Sequence, residues 1–272
     1  MNWFSRPVSD TQIPRRKRLW LYAAAAAVMF FLAAPTLIVV PMSFSESQYL
    51  EFPPRVWSVL WYEHYFNSRA WLSATATSLQ AAFLTALLAT PLGVMAAYGL
   101  AADGGRRGKF VFLLLISPMM VPVILAGIGI FYVYVKLNLN NTLTGLVLAH
   151  SVLALPLVVI VAAAGLKNFD MNQERVARSL GASRLRAFCT VTLPQIRFSV
   201  ISAALLAFLT SFDEVIVALF IAGGDNSTIT RAMFLALRDQ IDPTIASVST
   251  LMIILTSLML AAAQIFGKKP DS

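Results

Sequence analysis

Charge is scarce in this sequence. Asp, Glu, Lys and Arg make up only 12% of its 272 residues, while hydrophobic residues make up 58%. A typical soluble domain is about 25% charged and about 45–50% apolar. The imbalance excludes a disordered chain, a collagen-like chain and an ordinary water-soluble globule. Cysteine is nearly absent, with Cys189 standing alone. One thiol builds neither an internal disulfide framework nor a cysteine-based metal site. Histidine is limited to His64 and His150, far apart in the chain. No metal site is expected from them, and the clustered His, Asp or Ser-His sets of a membrane-embedded enzyme are missing. No Gly-x4-Gly-Lys-Ser/Thr phosphate loop occurs either.

What the chain does have is long apolar runs. The mean hydropathy is +0.73. A bilayer core of about 30 Å needs about 20 apolar helical residues. Runs at 20–42, 71–101, 110–135, 143–166, 194–222 and 244–266 meet that length. Backbone polar groups inside lipid must pair within the segment, so six helices and an all-α membrane fold are expected. Pro35, Pro91, Pro118, Pro122 and Pro156 lie inside the runs, and kinks are expected there. The first run is too long for the apolar core of a cleaved signal peptide.

Charge placement predicts the topology. The net charge is +8. Segments 1–19, 102–109, 167–193 and 267–272 hold 15 of the 21 Lys and Arg residues, and the alternate segments 43–70, 136–142 and 223–243 hold 5. The positive-inside bias puts both termini in the cytoplasm. The basic segment 1–19, with Arg15, Arg16, Lys17 and Arg18, then faces anionic lipid headgroups rather than nucleic acid. Residues 20–272 read as a single transmembrane domain.

Several features outside the plain apolar pattern stand out. The outer loop 43–70 is rich in aromatic residues, among them Phe44, Trp57, Trp61 and Tyr62. These suit an interfacial belt, or a π face for a ligand cation. Asp213 and Glu214 are the acids well inside a proposed span. Each costs about 2.5–3.5 kcal/mol near a helix centre unless it faces a cavity or a partner. Either a cationic substrate or a structural partner satisfies that requirement. His150 reads as a helix-to-helix hydrogen bond, and Cys189 as inert packing. Asn140-Asn141 and Gly223-Gly224-Asp225-Asn226 are turn chemistry.

The segment 167–193 is the one elaborate loop on the basic side. Asp170 or Asn172 caps a short helix with Glu174 in its first turn. Val176, Ala177 and Leu180 share a face. Gly181 ends the helix or permits a positive-φ turn. A second short helix carries Leu185 and Phe188, and Leu193-Pro194 opens the fifth span. Such an apolar surface either receives a partner or packs on its own bundle.

This loop resembles the cytoplasmic EAA loop of ABC importer permeases, whose pattern is Glu-Ala-Ala-x3-Gly-x9-Ile-x-Leu-Pro. Ala177, Gly181, Val191, Leu193 and Pro194 match it; Arg175 and Val176 replace the leading Glu and first Ala, and Glu174 stands one residue early. Trp61-Tyr62, Phe66, Trp71-Leu72, Ser117-Pro118, Gly165-Leu166-Lys167 and Thr210-Ser211-Phe212-Asp213-Glu214 are similar to the spermidine/putrescine permease branch, and closest to its C-type subunit. The resemblance spans about Tyr22 to Phe266. It implies the type I importer permease fold in the bacterial inner membrane. It also implies a second homologous permease, two ATPase subunits and an extracytoplasmic binding protein as partners. Glu174, Ala177, Leu180, Gly181, Ala182 and Leu185 would then couple to the ATPase. Asp213, Glu214, Trp61 and Ser211 would line the route of a small cationic solute such as a polyamine. ATP hydrolysis would belong to another chain, so this one would be no enzyme and hold no cofactor. One departure bears on the substrate. The branch often has an acid after the third-span Ser-Pro, and here Met119 follows. A less cationic solute, such as an amino-acid derivative or an opine, stays open.

A stand-alone secondary transporter is the rival class. It would show internal repeats or several buried charges for ion coupling, and the sequence has one acidic pair and no repeat. Reporter fusions at Ser272 and within the 43–70 loop are expected to report opposite sides of the membrane. A C-terminal fusion active only outside would overturn the topology.

Overall fold

A computed structural model describes residues 19–103, 105–239 and 242–267. Arg6, Arg15, Arg16, Lys17, Arg18, Lys268 and Lys269, on which part of the charge bias rests, lie outside the described residues. The described residues are almost all helical and contain no strand beyond an isolated bridge between Ser45 and Trp57. The helices are α1 (Leu19–Met42), α2 (Leu60–Asn67), α3 (Arg69–Asp103), α4 (Arg106–Ile116), α5 (Val123–Leu137), α6 (Leu143–Lys167), α7 (Met171–Ser179), α8 (Arg184–Ala187), α9 (Leu193–Gln195), α10 (Arg197–Phe212), α11 (Ile216–Ile221), α12 (Ile229–Asp239) and α13 (Thr244–Gly267).

Four helices, α1, α3, α6 and α13, are each long and apolar enough to cross a bilayer. The third apolar run bends where its prolines led a kink to be expected, and the fifth bends where no kink was expected. The third is two helices bent by 96°. Pro118 and Pro122 bracket the bend; a Ser117–Met120 3-10 turn precedes it, and Val121 before Pro122 is extended at φ −82° and ψ 127°. Proline removes a donor, and its ring pushes the preceding residue out of the helical region. Pro35, Pro91 and Pro156 lie inside continuous helices instead. The fifth run is bent by 81° between Gln195 and Arg197 and opens again at Asp213–Val215 before α11. Taking each bent pair as one span gives six.

The chain divides into two compact units. The first comprises residues up to His64 and 242–253. In it the aromatic loop is tied down locally. The Phe44 and Tyr62 rings lie 5.2 Å apart, Ser43 Oγ shares a hydrogen bond with Tyr62 OH at 2.7 Å, and Ser247 Oγ donates to Ser43 O at 3.3 Å. No residue of α1 is buried, which suits an all-apolar helix whose solvent is lipid.

The second unit comprises 65–241 and the residues from 254 onward. Its centre is the packing of α3, α6 and α10, built from fully buried small residues such as Ala89, Ala97, Ala154, Ala162, Ala203 and Ala207. Lipid tails are as apolar as side chains, so spans associate through close packing, and small residues let backbones approach. At Gly93 an added Cβ would lie 2.5 Å from Val158 Cγ1; at Gly99, on the same helix, it would meet nothing within 4 Å. Loop ends follow local chemistry: Thr142 Oγ1 accepts from Gly145 N–H at 3.0 Å to start α6. Asn138 and Asn141 take the left-handed conformation, one of them just outside the Asn140-Asn141 pair expected to turn.

Gly93→Leu is expected to destabilise the protein by about 1–3 kcal/mol through overpacking. Gly99→Leu is expected to be tolerated. Thermal unfolding in detergent separates the two; equal losses would contradict the close α3–α6 approach.

Candidate functional site

Polar groups of the second unit gather at two places, and each has its own chemistry.

The first is the 167–193 loop. Asp170 Oδ1 accepts the Asn172 N–H at 3.0 Å, so Asp170 is the cap that opens α7. Gly181 closes it at φ +94°. Its N–H donates to Arg178 O and the Ala182 N–H to Ala177 O, at 3.0 and 3.1 Å. These bonds satisfy carbonyls that the helix end leaves open. Ser183 Oγ then accepts the Arg186 N–H at 3.3 Å and caps α8. The chain passes through a π-helical turn, Phe188–Thr192, before α9. The expected helix–Gly–helix is therefore present. Cys189, expected to be packed, is exposed instead.

The six expected coupling residues divide into two kinds. Leu180 is 84% exposed and Leu185 73%, with Val176 beside them at 58%. Ala177 and Ala182 are half-buried and Gly181 is exposed. Together these make an apolar knob with a sharp turn at its tip. Glu174 is different. It is 3% exposed, with one carboxylate oxygen accepting from Tyr98 OH and the other from Thr192 Oγ1 at 2.6 Å. Gln195 Nε2 donates to Gln173 Oε1 at 2.6 Å beside it. Nothing local in the sequence marks Tyr98 or Thr192 as its partners; the hint is only that Tyr98 is a polar-tipped ring near the basic end of an apolar span.

The second place is the break between α10 and α11. Asp213 is the C-cap of α10 at φ −92° and ψ −3°. It is exposed, and its carboxylate has no hydrogen bond or ion pair to any described residue. Glu214 is half-buried. Its Oε1 accepts the Val217 N–H at 2.9 Å, so it serves as an N-terminal cap for α11, and its carbonyl accepts from Thr230 Oγ1 at 2.9 Å. Ser211 is buried and shares a 2.7 Å hydrogen bond with His150 Nδ1. His150 is wholly buried, as expected for a link between α6 and α10. Its Nε2 has no partner among the described residues. Trp61 belongs to the first unit, where it is half-buried and its indole N–H donates to Ser47 O at 3.1 Å. The described residues contain no cluster of His, Cys, Asp and Glu able to hold a metal.

Comparisons with known proteins identify the family. A family model described as binding-protein-dependent transport system inner membrane component matches residues 89–271. The chain is 31% identical over 230 residues to the putrescine transport system permease protein PotI of Escherichia coli (strain K12), covering 82% of each. It is 28% identical over 254 residues to the spermidine/putrescine transport system permease protein PotC of Haemophilus influenzae, covering 93% of this chain and 98% of that one. Its fold is similar to a chain of a bacterial ABC transporter involved in import of the acidic polysaccharide alginate, with TM-score 0.71 at 15% identity over 94% of this chain and 99% of the other. The exposed apolar knob on a helix–Gly–helix loop, the polar break in a small-residue helix bundle and these matches lead to one conclusion: the chain belongs to the binding-protein-dependent transport system inner membrane components, the permeases of ABC importers.

Proposed function

We propose that this permease carries a small cationic solute, a polyamine such as putrescine or spermidine, inward across the bacterial inner membrane. The observation that carries the substrate reading is Asp213: an exposed carboxylate without a partner among the described residues, at a helix break where a cation can reach it. An anionic group left unpaired near the membrane interior needs a countercharge, and a substrate ammonium supplies one. The two polyamine permeases to which the chain is similar support the same class. Glu214 serves from behind by capping α11, and Ser211 by holding His150. Trp61 remains a separate candidate for a π-face contact with the cation.

The assembly proposed is a pair of homologous permeases, two ATPase subunits on the basic-rich side and a binding protein on the other, with both termini cytoplasmic and segment 1–19 against lipid headgroups. The exposed Val176, Leu180 and Leu185 are an apolar surface of the kind that marks a protein interface. Closure of the ATPase pair then shifts the permeases between inward- and outward-open states, because the two states bind the closed pair differently. Hydrolysis is proposed to reside wholly in that other subunit.

The test is Asp213→Asn, which keeps shape and removes charge. Putrescine uptake by the assembled transporter is expected to fall about tenfold, the scale of one lost charged contact. Binding of putrescine to the isolated binding protein and recovery of the ATPase with the permease are expected to stay unchanged. Wild-type uptake would remove Asp213 as a substrate contact; failed assembly would make it an inter-subunit ion-pair residue instead.

A further inference from the structure

We propose that Glu174 is a positioning residue that fastens the coupling helix α7 to two spans at once, through Tyr98 on α3 and Thr192 at the entrance to α10. The inference rests on the proposed docking of the 167–193 loop to an ATPase, and it assigns Glu174 a role that contact with that partner does not supply.

The side chain is 3% exposed, so it is not part of the surface offered to a partner. A buried carboxyl group is costly unless its oxygens are hydrogen-bonded. Here each oxygen has a separate donor, the Tyr98 hydroxyl and the Thr192 hydroxyl at 2.6 Å, and no ion pair with a described residue accompanies them. The two donors are 94 residues apart in the chain: Tyr98 is on α3, and Thr192 ends the π-helical turn that leads through α9 to α10. A leucine or methionine would fill the space without the desolvation cost, but it would slide where the carboxyl group cannot. The geometry therefore favours fixed register over packing.

The link continues past the Gly181 turn. Arg184 Nε donates to the Tyr98 oxygen at 3.4 Å, and its guanidinium lies 5.3 Å from the Tyr98 ring centroid. The Phe188 ring covers Tyr98 at 4.7 Å. Residues from both arms of the helix–Gly–helix loop thus hold one tyrosine at the end of α3. A displacement applied to the exposed tip at Leu180 reaches α3 through Tyr98 and α10 through Thr192, without passing through the flexible glycine alone. Contiguity by itself does not prove transmission. The decisive quantity is how much solute moves per ATP.

The experiment uses the full transporter with its ATPase and binding protein in liposomes. Putrescine uptake and ATP hydrolysis are measured together. Tyr98→Phe and Thr192→Val each remove one donor. Each is expected to lower solute imported per ATP by about tenfold, the scale of a hydrogen bond to a charged group, with the ATPase still recovered at wild-type level. Thr192→Ser keeps the hydroxyl and is expected to keep the wild-type ratio. Adding Tyr98→Phe to Glu174→Ala is expected to give no further loss, because both cut the same tie. An unchanged ratio with less folded complex would make the site a purely structural one and overturn the proposal. So would independent, multiplying effects, or a Thr192→Ser variant as defective as the valine. Failure of the wild-type chain to recover any ATPase would overturn the docking reading itself, and is seen before any variant is compared.

Discussion

Backbone hydrogen bonding in the absence of water constrains every other feature of this molecule. A chain that crosses hydrocarbon must stay helical, and any interruption needs substitute partners for the groups it frees. The interruptions here each have such partners. After Pro118, the Val121 N–H returns to Pro118 O at 3.2 Å. After Phe212, the Glu214 side chain takes the Val217 N–H that begins α11. At the start of α6, the Thr142 hydroxyl does the same for Gly145. At the second and third of these places a side chain has taken over the backbone's work. They are also the places where polar groups can stand inside an otherwise apolar bundle.

That constraint separates the roles of neighbouring residues. Asp213 and Glu214 are adjacent acids at one opening, yet Glu214 is engaged by the backbone and Asp213 is not. At the other end, Glu174 lies on α7 and Leu180 is its C-cap. One is turned into the protein and hydrogen-bonded, the other is 84% exposed. The carboxyl group holds the loop in place and the leucine presents it. In an ABC importer the ATPase is a separate subunit from the permease, and an anchored loop with an apolar tip is a physical means of receiving motion from it.

Much of this was legible from residue order. The apolar runs located all the long helices, because span length follows directly from bilayer thickness. The caps and turn of the 167–193 loop were readable from Asp170 and Gly181, since capping and positive φ are local properties. The break around Pro118 and Pro122 was foreseen as a kink, but its 96° angle depends on a pair of prolines acting together with an extended residue between them. The opening at Asp213 was hidden within an uninterrupted apolar run. The one available sign was an acid three residues before Val217, where a helix start accepts one. The Glu174 partners were not legible at all, because Tyr98 and Thr192 reach it only through tertiary packing. The length of α1 was readable, but not that none of its residues would be buried against the other described residues.

The central claim is that movement of a cationic solute through this permease is driven by ATP on the basic-rich side. It is tested most directly by putrescine uptake into liposomes holding the reconstituted transporter, with the binding protein outside, ATP enclosed or omitted, and ion gradients collapsed. The account predicts uptake that requires both ATP and the binding protein and survives loss of the gradients. Uptake that follows a proton or sodium gradient without ATP would contradict it.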